Sequence, residues 1–439
     1  MPKNKSAMGT VSFVTMGCAK NEVDSDHMGD RLLRAGYGLV DDPESADVVI
    51  VNTCSFIQAA TEESIEAILD VAGYPSIASG AAHLVVAGCM PARYGDDLAA
   101  ELPEAGAFVP CADETTIVDV VDGLLGVERV PGSDFAFELV GGSERVSSYV
   151  KISDGCDRFC AYCTIPHIRG RYHSFSLEDI TAEIERVAAQ GAREIVLIAQ
   201  DTGRWGTDFE QPSTLAELVA HVAEAYPQLW FRIMYIQPEG VTDELIAAVA
   251  SHDNVCDYFD IPFQHANEAI LKSMNRRGSA ETHLELLDKI RQAIPDATLR
   301  TTLIAGYPGE TDEEFEQLKD FVEQADLDYI GVFPYSREEG TRAYGLEGQV
   351  DEDEKLARAQ EIRDLADAVC APRMAARIGQ EVDVLVCGVE EDGQLFGRAM
   401  CQAPDVDGVT YVDGGKPGDV VRVRLEDSLM YELEGTVLS

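Results

Sequence analysis

Over the first hundred positions the apolar residues fall into short unbroken runs, separated by polar segments of helical period. Val11–Cys18, Asp47–Cys54 and His83–Cys89 read as three buried strands. Continuous apolar runs suit a parallel sheet covered on both faces, because each face meets a helix layer. Helical segments lie between them, from about Val23 to Arg34 and from Thr61 to about Val71. This alternation predicts an open, doubly wound parallel α/β sheet over residues 9–125. From about Gly141 the pattern changes to six strand–helix units, with strands near 149–156, 194–201, 231–238, 257–265, 298–306 and 328–336. The helix that starts at Leu177 is stopped at Gly191, a residue type that caps helix ends. Right-handed βα units in this number curl into an incomplete (β/α)6 barrel, placed at 142–371. A helical stretch from Asp351 to about Arg377 leads into five short β-type runs: 381–386, 395–400, 408–412, 419–425 and 431–437. Turn residues separate them, which predicts a small OB-like β-barrel over 373–439.

Length and composition narrow the class. A chain of 439 residues holds two or three domains, each with its own core. No apolar run approaches the twenty or so residues of a membrane-spanning helix. Met1–Ser6 lacks a signal-peptide core. Both point to the cytoplasm. The 11 cysteines are odd in number, and in a reducing compartment they suggest metal or redox chemistry in place of disulfides. The net charge of -45, from 79 acidic and 34 basic residues, repels nucleic acid and attracts a basic protein. Most of that acid serves solubility. The last domain repeats the bias locally, with 13 acidic and 6 basic residues from Arg373 to Ser439. That is the wrong sign for a phosphate-binding surface, so direct RNA binding is not expected. No glycine-rich phosphate loop occurs, so nucleotide hydrolysis is not indicated.

The cysteines carry the chemistry. Cys156, Cys160 and Cys163 lie on one short loop bracketed by Gly155 and Pro166. Thiolates so close in sequence converge on one metal centre. Zinc closes with four ligands, and no fourth cysteine is near; a remote ligand would complete such a site. A 4Fe-4S cluster held by three thiolates keeps one iron open for a cofactor. Cys18, Cys54 and Cys89 each end a predicted strand, at the sheet edge where open α/β folds bind ligands. A second three-thiolate cluster fits them. Cys111, Cys256, Cys370, Cys387 and Cys401 have no partner at metal spacing and read as structural. Gln200, Gln237, Gln264, His265 and the turn Gly306–Glu310 end other barrel strands and share one address, which favours a pocket. Gly306 and Gly309 allow close approach of backbone to a ligand. Arg169, Arg171 and His173 add positive charge able to hold a carboxylate.

Cys-x3-Cys-x2-Cys, with the aromatic Tyr162 before its last cysteine, resembles the signature of radical S-adenosylmethionine (SAM) enzymes. The resemblance implies that Cys156, Cys160 and Cys163 hold a 4Fe-4S cluster whose open iron chelates SAM, with Tyr162 against the adenine. Gln200, Gln237, Gly306 and Glu310 are then the candidates for further cofactor contacts. Met16–Asn21 with Asp24-Ser25, Asn52–Ile57 and Ala87–Met90 look like the cysteine signatures of methylthiotransferases, and the last domain resembles a TRAM domain. The chain is identified as a member of the methylthiotransferase family of radical SAM enzymes. Ala19-Lys20-Asn21, Ala199–Thr202 and Asp260–Ala266 are similar to its RimO type. That type thiolates an aspartate of the twelfth protein of the small ribosomal subunit. The resemblance implies two 4Fe-4S clusters and SAM as cofactors. It implies as partners a basic ribosomal protein, free or in the ribosome, and an external electron donor, with no membrane. The branch acting on a transfer-RNA adenosine, and a non-enzymatic two-cluster electron carrier, are the alternatives.

Overall fold

A computed structural model describes residues 8–129 and 145–438. The reading of Met1–Ser6 and the domain start at 142 lie outside the described residues.

The first domain is a five-stranded parallel sheet. Its strands are β1 (Thr10–Thr15), β2 (Gly38–Leu39), β3 (Val48–Thr53), β4 (His83–Gly88) and β5 (Ala107–Pro110), in the order β2-β1-β3-β4-β5. Every residue of β3 is buried. Val49 and Val51 face one helix layer with Ile68 and Leu98, whereas Val48 and Ile50 face the other with Met28 and Leu32. That two-sided burial explains the unbroken apolar runs. The order reverses between β1 and β3, and such a switch point opens a crevice beyond the strand ends. Cys18 follows β1 and Cys54 follows β3, one on each side of it. The helix expected from Val23 starts earlier, at Ala19, directly after Cys18. The two short edge strands β2 and β5 were not expected; two and four residues are too few to show a pattern.

The central domain holds β6 (Ser147–Lys151), a small hairpin of β7 (Ser153–Asp154) and β8 (His173–Ser174), then β9 (Glu194–Ile198), β10 (Trp230–Ile233), β11 (Tyr258–Asp260), β12 (Thr298–Ala305) and β13 (Tyr329–Pro334). β6, β9 and β10 form one parallel sheet and β11, β12 and β13 another. A bridge from Phe231 to Val255 links them into one open curve of six strands. The strand expected at 149–156 stops at Lys151, because Ser153 and Asp154 turn away to pair with His173 and Ser174. The helices outside the curve bury a large apolar layer that includes Ile195, Leu197, Phe231 and Phe259.

The last domain is a closed barrel of β14 (Glu381–Val389), β15 (Leu395–Ala399), β16 (Thr410–Val412), β17 (Val420–Leu429) and β18 (Glu432–Val437), ordered β14-β15-β16-β18-β17. The helix Glu352–Ala375 runs unbroken through the boundary expected between 371 and 373, so the division falls after it. The concave side of the central curve is filled from both neighbours. Val196, Ile198, Met234, Tyr258 and Tyr329 of the curve pack with Val23 of the first domain and Ala403 of the last, with Met400 and Tyr431 at the margin. Beside them Glu194 takes Arg232 at 2.8 Å and Arg398 at 2.6 Å, all three buried. Among the described residues, no helix is long and apolar enough to cross a membrane.

Candidate cofactor site

The loop after β7 is shaped by backbone contacts. Gly155 has φ +73°, and a Cβ there would lie 2.2 Å from the Arg171 carbonyl oxygen, so only glycine fits. Cys156 N–H donates to the Gly170 carbonyl at 3.2 Å and Cys163 N–H to that of Cys160 at 3.0 Å. Ala161 is held on both sides, its N–H donating to Met274 and its carbonyl accepting from Ala343. Arg158 ties the loop to Asp201 at 2.6 Å and Glu239 at 2.9 Å. Cys156 is buried, and Cys160 and Cys163 are partly so. Burial pushes the Cys156 thiol up to about 11, and burial with the nearby Cys160 raises Cys163 as well. A cation at the sulfurs reverses that, because metal ligation deprotonates thiols.

Tyr162 packs among Ala161, Ile270, Met274, Tyr307 and Tyr335. Gln200 donates from Nε2 to Asp154 at 2.9 Å, while its buried Oε1 has no partner; the buried Gln237 Oε1 is orphaned too. Unmet buried polar atoms of this kind fit a polar cofactor. Glu310 and Gly306 are placed differently. Glu310 accepts from Gly306 N–H at 2.9 Å and from Arg358 at 3.0 Å, and it meets His265 Nε2 at 3.1 Å, so both oxygens are engaged within the chain. Lys355 occupies the space beside Gly306, 2.6 Å from where a Cβ would sit.

The other three cysteines meet at the first domain's rim. Gly17, at φ +90°, would put a Cβ 2.3 Å from that of Cys54, which draws the loop carrying Cys18 onto Cys54. Burial, then the charges of Cys18 and Cys89, push the Cys54 thiol up to about 12. Cys89, the first residue of a short helix after β4, has its Sγ 3.6 Å from Asn21 Oδ1 and 3.7 Å from Arg169 Nη2. Its thiol is lowered to about 7, first by the neighbouring Cys111 thiol and then, against burial, by Arg169. Cys111, read as structural, therefore belongs beside this site, brought there by β5. Cys256, Cys370 and Cys401 are buried in packing positions. Among the described residues no three Cys, His, Asp or Glu side chains stand close enough to hold a single ion. A cluster, whose irons each take one thiolate, holds its ligands farther apart than one ion does.

Arg169 joins the two cysteine sites. Expected to hold a carboxylate of SAM or substrate, it is instead committed within the chain. It reaches Asp24 at 2.7 Å, Asn21 at 2.8 Å and Asp154 at 3.2 Å. Lys151 bridges the same two aspartates from below. Burial alone would raise Asp154, but Lys151 and Arg169 hold it down to about 2. Arg171 stays exposed beside Asp157, and His173 lies exposed on β8. Lys20 follows Cys18 by two residues, in the stretch Ala19-Lys20-Asn21. It is buried, with Nζ 3.2 Å from the centre of the Tyr235 ring, and burial draws it down to about 8. The i,i+4 spacing of Lys20 and Asp24 on a helix start is the one sequence signal that both face the barrel.

The radical SAM superfamily matches residues 150–322, the uncharacterized protein family UPF0004 matches 10–110, and the TRAM domain matches 378–438. A ribosomal protein uS12 methylthiotransferase RimO from Symbiobacterium thermophilum is 42% identical, covering 97% of this chain and 90% of that protein. The protein of the same name from Geobacter sulfurreducens is 40% identical, covering 99% of this chain and 100% of its own. Among solved structures, the radical SAM methyltransferase TsrM from Kitasatospora setae aligns with a TM-score of 0.52 at 15% identity, covering 74% of each chain, a likeness of fold. With relatives this similar over almost its full length, the chain belongs to the RimO family of radical SAM methylthiotransferases.

Proposed function

We propose that this protein transfers a methylthio group to the β-carbon of an aspartate in ribosomal protein uS12, using SAM and two 4Fe-4S clusters. Cys156, Cys160 and Cys163 would hold the first cluster, and Cys18, Cys54 and Cys89 the second. Bound there, the clusters supply the electron that cleaves SAM and the place where sulfur is held, chemistry that no side chain provides. The chain's own residues do the rest. Gly155 and the Arg158–Asp201 pair hold the first loop in shape. Gln200 and Gln237 turn orphaned oxygens toward donors on SAM, with Tyr162 as the apolar wall for its base. Gly306 and Glu310 support the neighbouring turn from behind.

The observation that carries this reading is Arg169, which follows the first loop in sequence and contacts Cys89 of the second trio. A contact from the segment just after the first loop to the second trio suits a reaction that must bring one carbon to both. A protein substrate is favoured by the last domain. Five of its six basic residues are already paired: Arg373 and Arg377 with Asp328, Arg398 with Glu194, Arg422 with Asp383 and Arg424 with Glu381. Little free positive charge remains there for phosphates. The test gives the reconstituted protein unmodified uS12 and unmodified transfer RNA in parallel, with mass spectrometry of both. One methylthio group on a uS12 aspartate is expected; thiolated RNA with unchanged uS12 would overturn the reading.

A further inference from the structure

A carboxylate that enters a buried chamber needs a cation that is not already neutralised. The basic side chains around the two cysteine sites are mostly taken. Lys151 and Arg169 share Asp24 and Asp154, two charges against two. Arg300 lies 2.9 Å from Asp260 and 3.4 Å from Asp407. Arg276 donates to the Pro262 carbonyl at 2.7 Å, and Arg232 is paired with Glu194.

Lys20 differs. It is 8% exposed, and among the described residues its ammonium has no hydrogen bond and no ion pair. One side rests on the ring of Tyr235, a cation–π contact that leaves the N–H donors unmet. The titratable and charged groups facing it are Cys18, Arg169, Asp260 and Asp154. Asp260 is held by Arg300 and by the Tyr235 N–H at 2.9 Å. Asp154 is held by Lys151, Arg169, Gln200 and the Gly155 N–H. Each of these acids already has a cation or an N–H of its own, so the Lys20 ammonium is left without a carboxylate partner, two residues along from Cys18. Tyr235 is itself fixed with φ +63°, a costly conformation for a tyrosine that places its ring beneath Lys20.

We propose that Lys20 is the specificity residue that binds the side-chain carboxylate of the target aspartate. This rests on the reading of uS12 as substrate. The ammonium takes the carboxylate from one side, and the β-carbon next to that carboxylate is held near Cys18. A carboxamide of the same shape offers no charge and binds less well.

The experiment measures Kd for the reconstituted, SAM-loaded protein with unmodified uS12, and with uS12 whose target aspartate is replaced by asparagine. The wild type is expected to prefer the aspartate form by on the order of 10- to 100-fold. Lys20→Met brings both forms to the affinity of the asparagine form, and Lys20→Arg keeps most of the preference. Retained binding of the asparagine form by Lys20→Met shows that the variant is folded and loaded. A Lys20→Met protein that still prefers aspartate, or that loses both forms equally, overturns the assignment. If the wild type neither binds nor thiolates uS12, the substrate reading itself fails and the anchor falls with it.

Discussion

Arg169 lies 2.7 Å from Asp24 and 3.7 Å from the sulfur of Cys89, although all three belong to segments far apart in sequence. The guanidinium neutralises Asp24 and Asp154 together with Lys151, and burial would otherwise raise both acids. Arg169→Met leaves two buried aspartates sharing one lysine. A loss of about 3–5 kcal/mol is expected, read as a lower urea midpoint, with partial recovery in Arg169→Lys. Methylthiolation is expected to fall with it. An Arg169→Met protein with wild-type stability and rate would show the bridge to be dispensable.

On the proposed function the two cysteine trios divide the labour. Cys156→Ala is expected to abolish both SAM cleavage and methylthio transfer, whereas Cys18→Ala still cleaves SAM but does not thiolate. Iron analysis gives about eight atoms per chain in the wild type and about four when one centre is lost. Equal loss of both activities in a folded Cys18→Ala protein would count against two separate centres.

His27 sits 3.0 Å from Glu183 of the central domain and 3.9 Å from Glu114. Burial would lower its value, but the carboxylates of Glu114 and Glu183, the latter accepting a hydrogen bond from the ring, lift it to about 9. The folded value lies above the unfolded one, near 6.5. Its contribution is therefore complete below pH 6.5 and disappears as the pH rises through 9. The upper limit is about 3 kcal/mol, reduced by partial exposure. Melting temperatures across that window should fall for the wild type and stay flatter for His27→Gln.

Glu194 is buried against Arg232 and Arg398, which overcome its burial and hold its carboxyl down to about 2. Glu194→Gln leaves two buried guanidiniums with no carboxylate between them. A cost of about 3–5 kcal/mol is expected, seen as earlier release of the last domain to limited proteolysis. Unchanged protease resistance would mean that the apolar packing and the remaining contacts, the Arg300–Asp407 pair among them, are enough to hold that domain.

What the sequence shows of this protein follows the range of the interactions. Cys156, Cys160 and Cys163 are legible because eight residues contain them and Gly155 bends the backbone between them and β7. Cys18, Cys54 and Cys89 are legible because each follows an apolar run that can only be a buried strand. Arg169 is not: three of its four partners, Asn21, Asp24 and Cys89, come from another domain, and its neighbours in the chain resemble an ordinary basic turn. Cys111 is hidden by the shortness of β5, which ends at a proline and shows no period. Glu310 and Gly306 have the residue types of a ligand loop, but the helix Glu352–Ala375 supplies Arg358 and Lys355 to occupy them. No local pattern announces that helix's direction.

The filling of the central curve also sets an order of assembly. Val23 is near the start of the chain, and Met400, Ala403 and Tyr431 are near its end, yet all four meet Val196 and Tyr258 on one concave surface. A nascent chain that has produced all six barrel strands already holds Val23 but still lacks Met400, Ala403 and Tyr431 from their inner side. The chamber is therefore completed after translation has passed position 431, and loading with oxygen-sensitive iron before that point would expose the metal to water on an open face. Maturation of the cofactors is best timed to the finished chain.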